Sequence, residues 1–207
     1  MQTGGMAAMT PEKLELPKRL GTKEYIVCVF QELLKRESLD TLSVRSIAAA
    51  CGVSRTTFYR FFQDKYDLLI WSYTRQIDEI CGHMTSERER LSRILELMVR
   101  NQQYFRKALK SDKRQILEDC IFHRSARAIR ERLLRELDVP CLTDELLMKI
   151  EFCCAGAQYI VKKWLLGEME EAPDVIADRI LDCFPEPIRG CCLTASAGNL
   201  KQEAQED

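Results

Sequence analysis

Glycine and proline are scarce in this sequence, which has nine glycines and six prolines among 207 residues. A β-sandwich or β-barrel needs many turns, and turns rely on these two residue types. Leu, Glu, Arg, Lys and Ala, which all favour helices, are abundant instead. The composition therefore predicts an all-α protein.

Long apolar runs are also lacking, and this argues against a membrane protein. Apolar runs, such as those at 159–161 and 164–166, are broken by charges long before the roughly 18 residues that a membrane span needs. The first 20 residues have no continuous apolar segment after a basic start, unlike a secretory signal. We therefore expect a cytoplasmic protein with no membrane partner. Most of its ten cysteines are expected to be reduced thiols packed as small hydrophobes.

Motifs for catalysis or for a cofactor are missing from the sequence. It contains no glycine-rich phosphate loop, no Gly-x-Ser-x-Gly and no recognisable pairing of a nucleophile with a base. Cys81 and His83 could bind a metal, but His123 is the only other histidine and there is no Cys-x-x-Cys pair. The adjacent cysteines at 153–154 and 191–192 leave redox sensing as an alternative. We expect a binding protein, with no enzymatic activity, no cofactor and no metal.

Charge is unevenly distributed along the chain, although the net charge is only −1. Residues 18–65 contain nine basic and five acidic residues, and residues 100–135 contain eleven and four. From residue 140 onward there are six basic and thirteen acidic residues. This asymmetry favours an anionic partner for the amino-terminal part of the chain.

Apolar residues recur at intervals of three and four through most of the chain, which predicts a series of helices. Thr22, Ser43, Asp64 and Thr143 are each expected to cap a helix. Proline at 185 and 187 should end the last helix, so we expect little packing after Arg189. The predicted divisions are a flexible segment at 1–19, a compact three-helix unit at 20–66, a larger helical domain at 67–188 and a mobile tail at 189–207.

The most informative segment is 44–62, which has the features of a helix-turn-helix. Such a motif packs two helices across a tight turn, and this requires a small residue at the crossing and a glycine in the turn. Ala48 and Gly52 supply these two features. Phe58 and Phe62 lie one turn apart and are expected to face the core. An ordinary helical corner with solvated polar residues is the alternative explanation of this pattern.

The opposite side of the same helix suits contact with a major groove. At about 100° per residue, Thr56, Thr57 and Arg60 point outward, flanked by Arg55, Tyr59 and Phe61. Arginine can pair with guanine, threonine can contact base edges, and tyrosine can reach a phosphate. The starts of neighbouring helices offer further phosphate-binding groups. These groups belong to Thr22, Ser43 and Lys65.

The sequence resembles the amino-terminal signature of TetR-type transcriptional regulators. The resemblance rests on Ser-Val-Arg at 43–45 and on CGVSRTTFYRFFQDKYDLL at 51–69, and it extends over about residues 22–69. It implies an all-helical homodimer that binds double-stranded operator DNA through its third helix. Phe61 departs from the family, which often has a hydrogen-bonding Tyr or His there. The contact positions that the resemblance implies are Thr22, Ser43, Arg45, Arg55, Thr56, Thr57, Tyr59, Phe61 and Lys65.

The carboxyl-terminal part is similar to the subgroup of this family that includes regulators of dihydroxyacetone kinase operons. The similarity rests on residues 101–109 and 159–167, and on Ala-Pro-Asp at 172–174. The family resemblance implies that this larger domain binds a small-molecule effector and forms the dimer. Arg124, Arg127 and Arg130 recur every three residues and suggest either an anionic-effector site or a solvated helix face.

Methionines, aromatics and cysteines on the helices of the second domain predict an apolar ligand pocket, with ordinary core packing as the alternative. The helix from Thr143 has apolar residues on two faces, which is more than one side of a core needs. The candidate pocket residues are Trp71, Ile77, Met98, Tyr104, Phe105, Leu117, Ile121 and Gln158. The candidate dimer residues are Leu147, Cys154, Ala157, Val161, Trp164, Ile176 and Ile180.

The sequence thus predicts a DNA-binding transcriptional regulator, a ligand-responsive repressor that binds an inverted-repeat operator as a homodimer. An activator in place of a repressor is one alternative. A helical ligand-binding or adaptor protein without DNA binding is the other. An adaptor would have no reason to expose Arg55, Thr56, Thr57 and Tyr59 beside Lys65.

Overall fold

The computed structural model describes residues 21–81, 86–111 and 115–193, and all the regular elements in these ranges are helices. The all-α prediction is therefore confirmed. Among the described residues, no helix has both the length and the hydrophobicity that crossing a membrane requires. The helices are α1 (Thr22–Arg36), α2 (Val44–Ala50), α3 (Arg55–Tyr59), α4 (Lys65–Cys81), α5 (Glu87–Arg100), α6 (Gln102–Ser111), α7 (Ile116–Glu136), α8 (Asp144–Leu166), α9 (Pro173–Asp182) and α10 (Ile188–Leu193).

The turn between α2 and α3 is formed by the glycine that the sequence places there. Gly52 has a φ of +65°, a conformation that glycine adopts without the steric penalty of a Cβ. The amide of Val53 then donates to the carbonyl of Ala48 at 3.0 Å. Ala48 is almost fully buried, so the two helices pack closely around it. The predicted helix-turn-helix geometry is present.

Side-chain caps begin several of the helices. Ser43 accepts a hydrogen bond from the amide of Ser46, and Asp64 accepts from the amides of Tyr66 and Asp67. Thr143 caps α8 in the same way. These three caps are confirmed.

The predicted cap at Thr22 is wrong. The N-cap of α1 is Gly21, whose carbonyl accepts from the amide of Tyr25 at 2.9 Å. The helix therefore starts one residue earlier than expected, and Thr22 occupies its first turn.

The carboxyl-terminal helices pack against one another, with α5 against α9 and α7 against α8. Against expectation, the chain continues to pack after Arg189. Helix α10 buries Ile188, Cys191 and Cys192 against α5, α7 and α9. The spacing of these three residues gives even a six-residue helix an apolar face. The predicted tail is thus wrong as far as Leu193, while residues 194–207 lie outside the described ranges.

Helix α6 links the two parts of the chain because it contacts both of them. At its carboxyl end, the buried hydroxyl of Ser111 accepts from the amide of Leu39, in the loop after α1, at 2.9 Å. Near its start, the Tyr104 hydroxyl donates to Ser72 Oγ of α4 at 3.1 Å. The Gln31 side chain of α1 donates to the same oxygen at 2.9 Å. Any displacement of α6 would therefore be transmitted to the amino-terminal unit through these hydrogen bonds.

We expect Phe58→Ala to destabilise the protein by about 3–5 kcal/mol, because Phe58 is fully buried and its removal leaves a cavity. The neighbouring Tyr59 is 56% exposed. Tyr59→Ala should therefore change stability by less than about 0.5 kcal/mol. Urea unfolding followed by circular dichroism measures both changes. Equal effects of the two substitutions would show that the face of α3 is assigned incorrectly.

Candidate nucleic-acid interface

Helix α3 has one buried side and one exposed side. Phe58 is fully buried and Phe62, just after the helix, is 2% exposed, and their rings lie 5.7 Å apart between centroids. Arg55, Thr56 and Tyr59 are exposed on the other side. The amino-terminal core thus fixes the orientation of α3 and leaves its polar side free.

The surface around α3 is positively charged. Residues 41–63 contain no acidic residue but include Arg45, Arg55 and Arg60. Within the described ranges, neither Arg45 nor Arg55 forms an ion pair, although Arg60 lies 5.8 Å from the ring centroid of Phe61. Guanidinium groups that are not neutralised by the protein can bind an anion or a base edge. This surface is suited to the phosphate backbone and the grooves of DNA.

The other predicted contact residues differ in their exposure and in whether their side-chain polar groups already have partners within the protein. Thr22 is exposed in the first turn of α1. The Ser43 hydroxyl is engaged in capping α2, and the Thr57 hydroxyl lies 2.9 Å from that of Ser54. Phe61 is half-buried and carries no hydrogen-bonding group. Among the predicted contacts, the free polar groups are therefore those of Thr22, Arg45, Arg55, Thr56 and Tyr59, and Arg60 lies beside α3.

Lys65 is engaged by the protein itself. Its ammonium donates to the carbonyls of Leu39, at 2.7 Å, and Leu42, at 2.8 Å, and a third bond reaches Asp40 at 3.3 Å. A lysine ammonium has three donors, so all of them are used. Lys65 therefore holds the α1–α2 loop against the start of α4. The sequence could not show this, because the acceptors are backbone atoms distant along the chain.

A cavity of about 110 Å³ lies among α5, α7, α8 and α9. Of the predicted pocket residues, Met98, Ile121 and Gln158 line it. Trp71 instead packs near Phe62, with 6.0 Å between ring centroids. Tyr104, Phe105 and Leu117 are buried elsewhere in the core, away from this cavity, and Ile77 lines a polar groove beside it. For Trp71, Tyr104, Phe105 and Leu117 the pocket prediction is wrong, because apolar periodicity identifies buried faces and not the gaps between them. For Ile77 it stays a prediction.

The predicted dimer residues are divided between the core and the surface. Cys154 and Trp164 of α8 are buried inside the protomer. Ile176 and Ile180 of α9 are also buried, but they line an open apolar groove between α8 and α9. Those that are partly exposed are Leu147, Ala157 and Val161. The prediction is wrong for Cys154 and Trp164, because the sides of α8 that carry them are turned inward, and it stays a prediction for the other five.

A third face of α8 carries the exposed apolar residues. Met148 is 71% exposed, Phe152 80% and Tyr159 62%, and Ala155 is exposed between them. We call these four residues the α8 stripe. Their spacing of three and four residues aligns them along one side of the helix. Beside the stripe, Phe152 and Tyr159 also border an open apolar groove of about 400 Å³ between α8 and α9.

Two family models match the chain. Residues 31–70 match the amino-terminal domain described as bacterial regulatory proteins of the tetR family, and residues 88–185 match a transcriptional regulator C-terminal region. Together these matches cover about two thirds of the chain. The chain belongs to the TetR family. The predicted resemblance is confirmed.

Individual relatives agree with this assignment. The chain is 25% identical over 103 residues to the dhaKLM operon transcriptional activator DhaS of Lactococcus lactis. The match covers 48% of this regulator and 55% of DhaS, so it spans about half the length of that relative. The TetR-family match also identifies the chain as a DNA-binding regulator and not an enzyme, as predicted.

Solved structures of other TetR-type regulators share the fold. The structure of the dihydroxyacetone kinase operon activator DhaS has a TM-score of 0.59 at 18% identity, covering 79% of this chain and 93% of that one. A TetR regulator from Streptococcus agalactiae 2603V has a TM-score of 0.62 at 21% identity, covering 80% and 94%. At these identities the comparison concerns the fold alone.

We expect Lys65→Ala to lower the free energy of unfolding of this TetR-family protein by about 1–3 kcal/mol in the absence of DNA, because three loop carbonyls lose a charged donor. Lys35→Ala is the control. Lys35 forms only a surface ion pair with Glu32, and such pairs contribute about 0–1 kcal/mol. Urea denaturation measures the free energy of unfolding of both variants. No loss of stability in Lys65→Ala would show that its hydrogen bonds do not hold the loop.

Proposed function

We propose that this TetR-family regulator is a ligand-responsive repressor that binds double-stranded operator DNA as a homodimer in the cytoplasm. The observation that carries the DNA-binding part is the exposed side of α3, which combines unpaired arginine, threonine and tyrosine in a segment without acidic residues. A protein that kept this motif only for packing would gain nothing from such a surface.

The proposed contacts fall into two classes. Arg55 and Thr56 enter the major groove, where arginine recognises guanine and threonine contacts base edges. Tyr59 reaches the phosphate backbone, which positions the protein without reading sequence. Lys65 can add a phosphate contact only by exchanging one of its three carbonyl partners. The other proposed backbone contacts are Thr22, Ser43, Arg45 and Thr57, while Phe61 could contact DNA only through its ring, because it has no hydrogen-bonding group.

We expect Arg55→Ala to weaken operator binding by about 1–3 kcal/mol and to change binding to a scrambled duplex little, because a base contact discriminates between sequences. The operator is first selected from genomic fragments with the wild-type protein. Fluorescence anisotropy titrations at several salt concentrations then measure both duplexes.

Arg100→Ala provides the matched control, since Arg100 is an exposed arginine on α5, outside the α3 surface. This substitution should leave both affinities unchanged. Equal losses on operator and scrambled DNA for Arg55→Ala would exclude a base contact. Failure of the wild type to select any fragment would refute the DNA-binding proposal and favour the adaptor alternative.

The homodimer is proposed to form through the α8 stripe and the neighbouring apolar groove. Three large exposed apolar side chains on one helix face are unusual for a monomer surface, and contiguous patches of this kind mark interfaces. The partly exposed Leu147, Ala157 and Val161 lie on the same helix. A two-fold dimer would place its α3 helices in successive major grooves about 34–36 Å apart, so the operator should be an inverted repeat.

We expect Phe152→Glu to convert the dimer to a monomer at micromolar concentration, because it places a charge in the centre of the proposed interface. Val99→Glu is the control, since Val99 is a 44% exposed apolar residue on α5. Sedimentation equilibrium measures both masses. A wild-type protein that is already monomeric, or a dimeric Phe152→Glu, would contradict this interface.

Ligand response is supported by the position of the cavity relative to α6. Helix α5 lines the cavity with Leu91, Ile94, Leu95 and Met98, and α6 follows it after only Asn101. The buried Tyr104–Ser72–Gln31 hydrogen bonds then connect α6 to α4 and α1. A ligand that shifts α5 would therefore act on the orientation of the DNA-binding unit.

Activation is a second candidate, favoured by the similarity to DhaS, which is described as an activator. Transcription in vitro from the selected operator fragment distinguishes the two. Lower transcript yield on adding the regulator supports repression, and higher yield supports activation.

A further inference from the structure

The cavity lies beside a polar groove on the surface, and the two spaces share lining residues. The groove lies among α4, α5 and α7 and has a volume of about 550 Å³. Four residues line both spaces: Tyr73, Glu87, Ile94 and Ser125. We call these four residues the throat, because they lie at the boundary between the apolar cavity and the groove. Glu87 is the charged residue among these four.

Among the described residues Glu87 accepts no hydrogen bond, although most of it is buried and it forms an ion pair with Arg90. Its side chain is 17% exposed, and the nearest charged group, the Arg90 guanidinium, lies 3.2 Å away without the alignment of a hydrogen bond. Burial raises the pKa of Glu87, while Arg90 and Arg132 act to lower it. A largely buried carboxylate without an aligned donor is costly, and here it faces a space that a ligand could occupy.

The other charged groups around the two spaces have partners. Lys162 binds Glu118 at 2.6 Å on the cavity side. In the groove, Arg124 binds Asp78 at 2.7 Å and Arg127 binds Glu131 at 2.9 Å. An anion would have to displace a carboxylate from one of these hydrogen-bonded pairs, whereas a cation finds in Glu87 a carboxylate whose ion pair with Arg90 has no aligned hydrogen bond. The Ser125 hydroxyl, which has no hydrogen-bond partner among the described residues, offers a second acceptor.

We propose that this site binds a small primary amine, with its compact apolar body in the cavity and its ammonium group at Glu87 in the throat. The inference deepens the proposed ligand response and rests on it for the role of the amine as effector. The cavity limits the body to a few carbon atoms, because a cavity of about 150 Å³ accepts a benzene molecule and this one has about 110 Å³.

Three probes with one carbon skeleton test the charge that the site selects. These are 3-methylbutylamine, 3-methylbutan-1-ol and 3-methylbutanoate, which at pH 7 are a cation, a neutral molecule and an anion. Titration calorimetry with the full chain measures their affinities, and thermal unfolding gives an independent readout, since a ligand of the folded state raises the melting temperature. We expect the amine to bind at least about tenfold more tightly than the other two.

Three variants test the location. Glu87→Gln keeps the shape of the side chain and should weaken amine binding at least about tenfold. Glu89→Gln is the control, because Glu89 lies on the same helix but is exposed, and it should bind the amine as the wild type does. Val161→Phe fills part of the cavity and should weaken binding of the amine. Circular dichroism of each variant establishes that it is folded.

The proposal would be overturned by equal or tighter binding of the butanoate, by no binding of the amine, or by unchanged amine affinity in Glu87→Gln. Selection of operator DNA by the wild type in the absence of amine keeps the failure of this inference separate from failure of the DNA-binding proposal. Glu87-dependent amine binding that leaves operator affinity unchanged would support the amine site and refute its role as effector.

Discussion

The hydroxyl of Ser72 is the point on which the coupling between the two parts of this protein depends. It is fully buried and accepts hydrogen bonds from Tyr104 of α6 and Gln31 of α1. Burial raises the pKa of Tyr104 to about 12, so the phenol remains a donor throughout the physiological range. Because an unpaired buried donor is costly, the three helices are held in one arrangement and the DNA-binding unit moves with α4 and α6.

Local sequence patterns were sufficient to predict the amino-terminal unit. Gly52, Ala48 and the Phe58–Phe62 pair define the α2–α3 turn through contacts within about 15 residues, and caps such as Ser43 and Asp64 act within one turn. Lys65 and the residues around the cavity could not be assigned in this way. Their roles depend on backbone carbonyls and gaps that arise only when distant segments pack. The α8 stripe was missed for a related reason, since α8 is apolar on most of its circumference and only packing shows which face is left exposed.

The buried cysteines behave as packing residues, whereas Cys141 and Cys183 are exposed. Burial raises the pKa of Cys51, Cys154 and Cys191 to about 12, so little of the reactive thiolate is present near neutral pH. Cys191 and Cys192 fix α10 against the larger domain, which the sequence assigned to a tail. The side chain of Cys81 and all of His83 lie outside the described ranges. Among the described residues, no group of three or more potential metal ligands is present.

Packed helices connect the proposed ligand site to the DNA-binding unit. Glu87 lies in the first turn of α5, and the 14 residues of this helix span about 21 Å. Helix α6 begins just beyond the far end and carries Tyr104 to Ser72. An ammonium that binds Glu87 and shifts its carboxylate would displace α5 as a rigid body. Helix α6 would then have to follow, or its buried hydrogen bonds would break. Since such coupling is reciprocal, DNA that favours one position of α4 must change the affinity of the site for its ligand by the same factor.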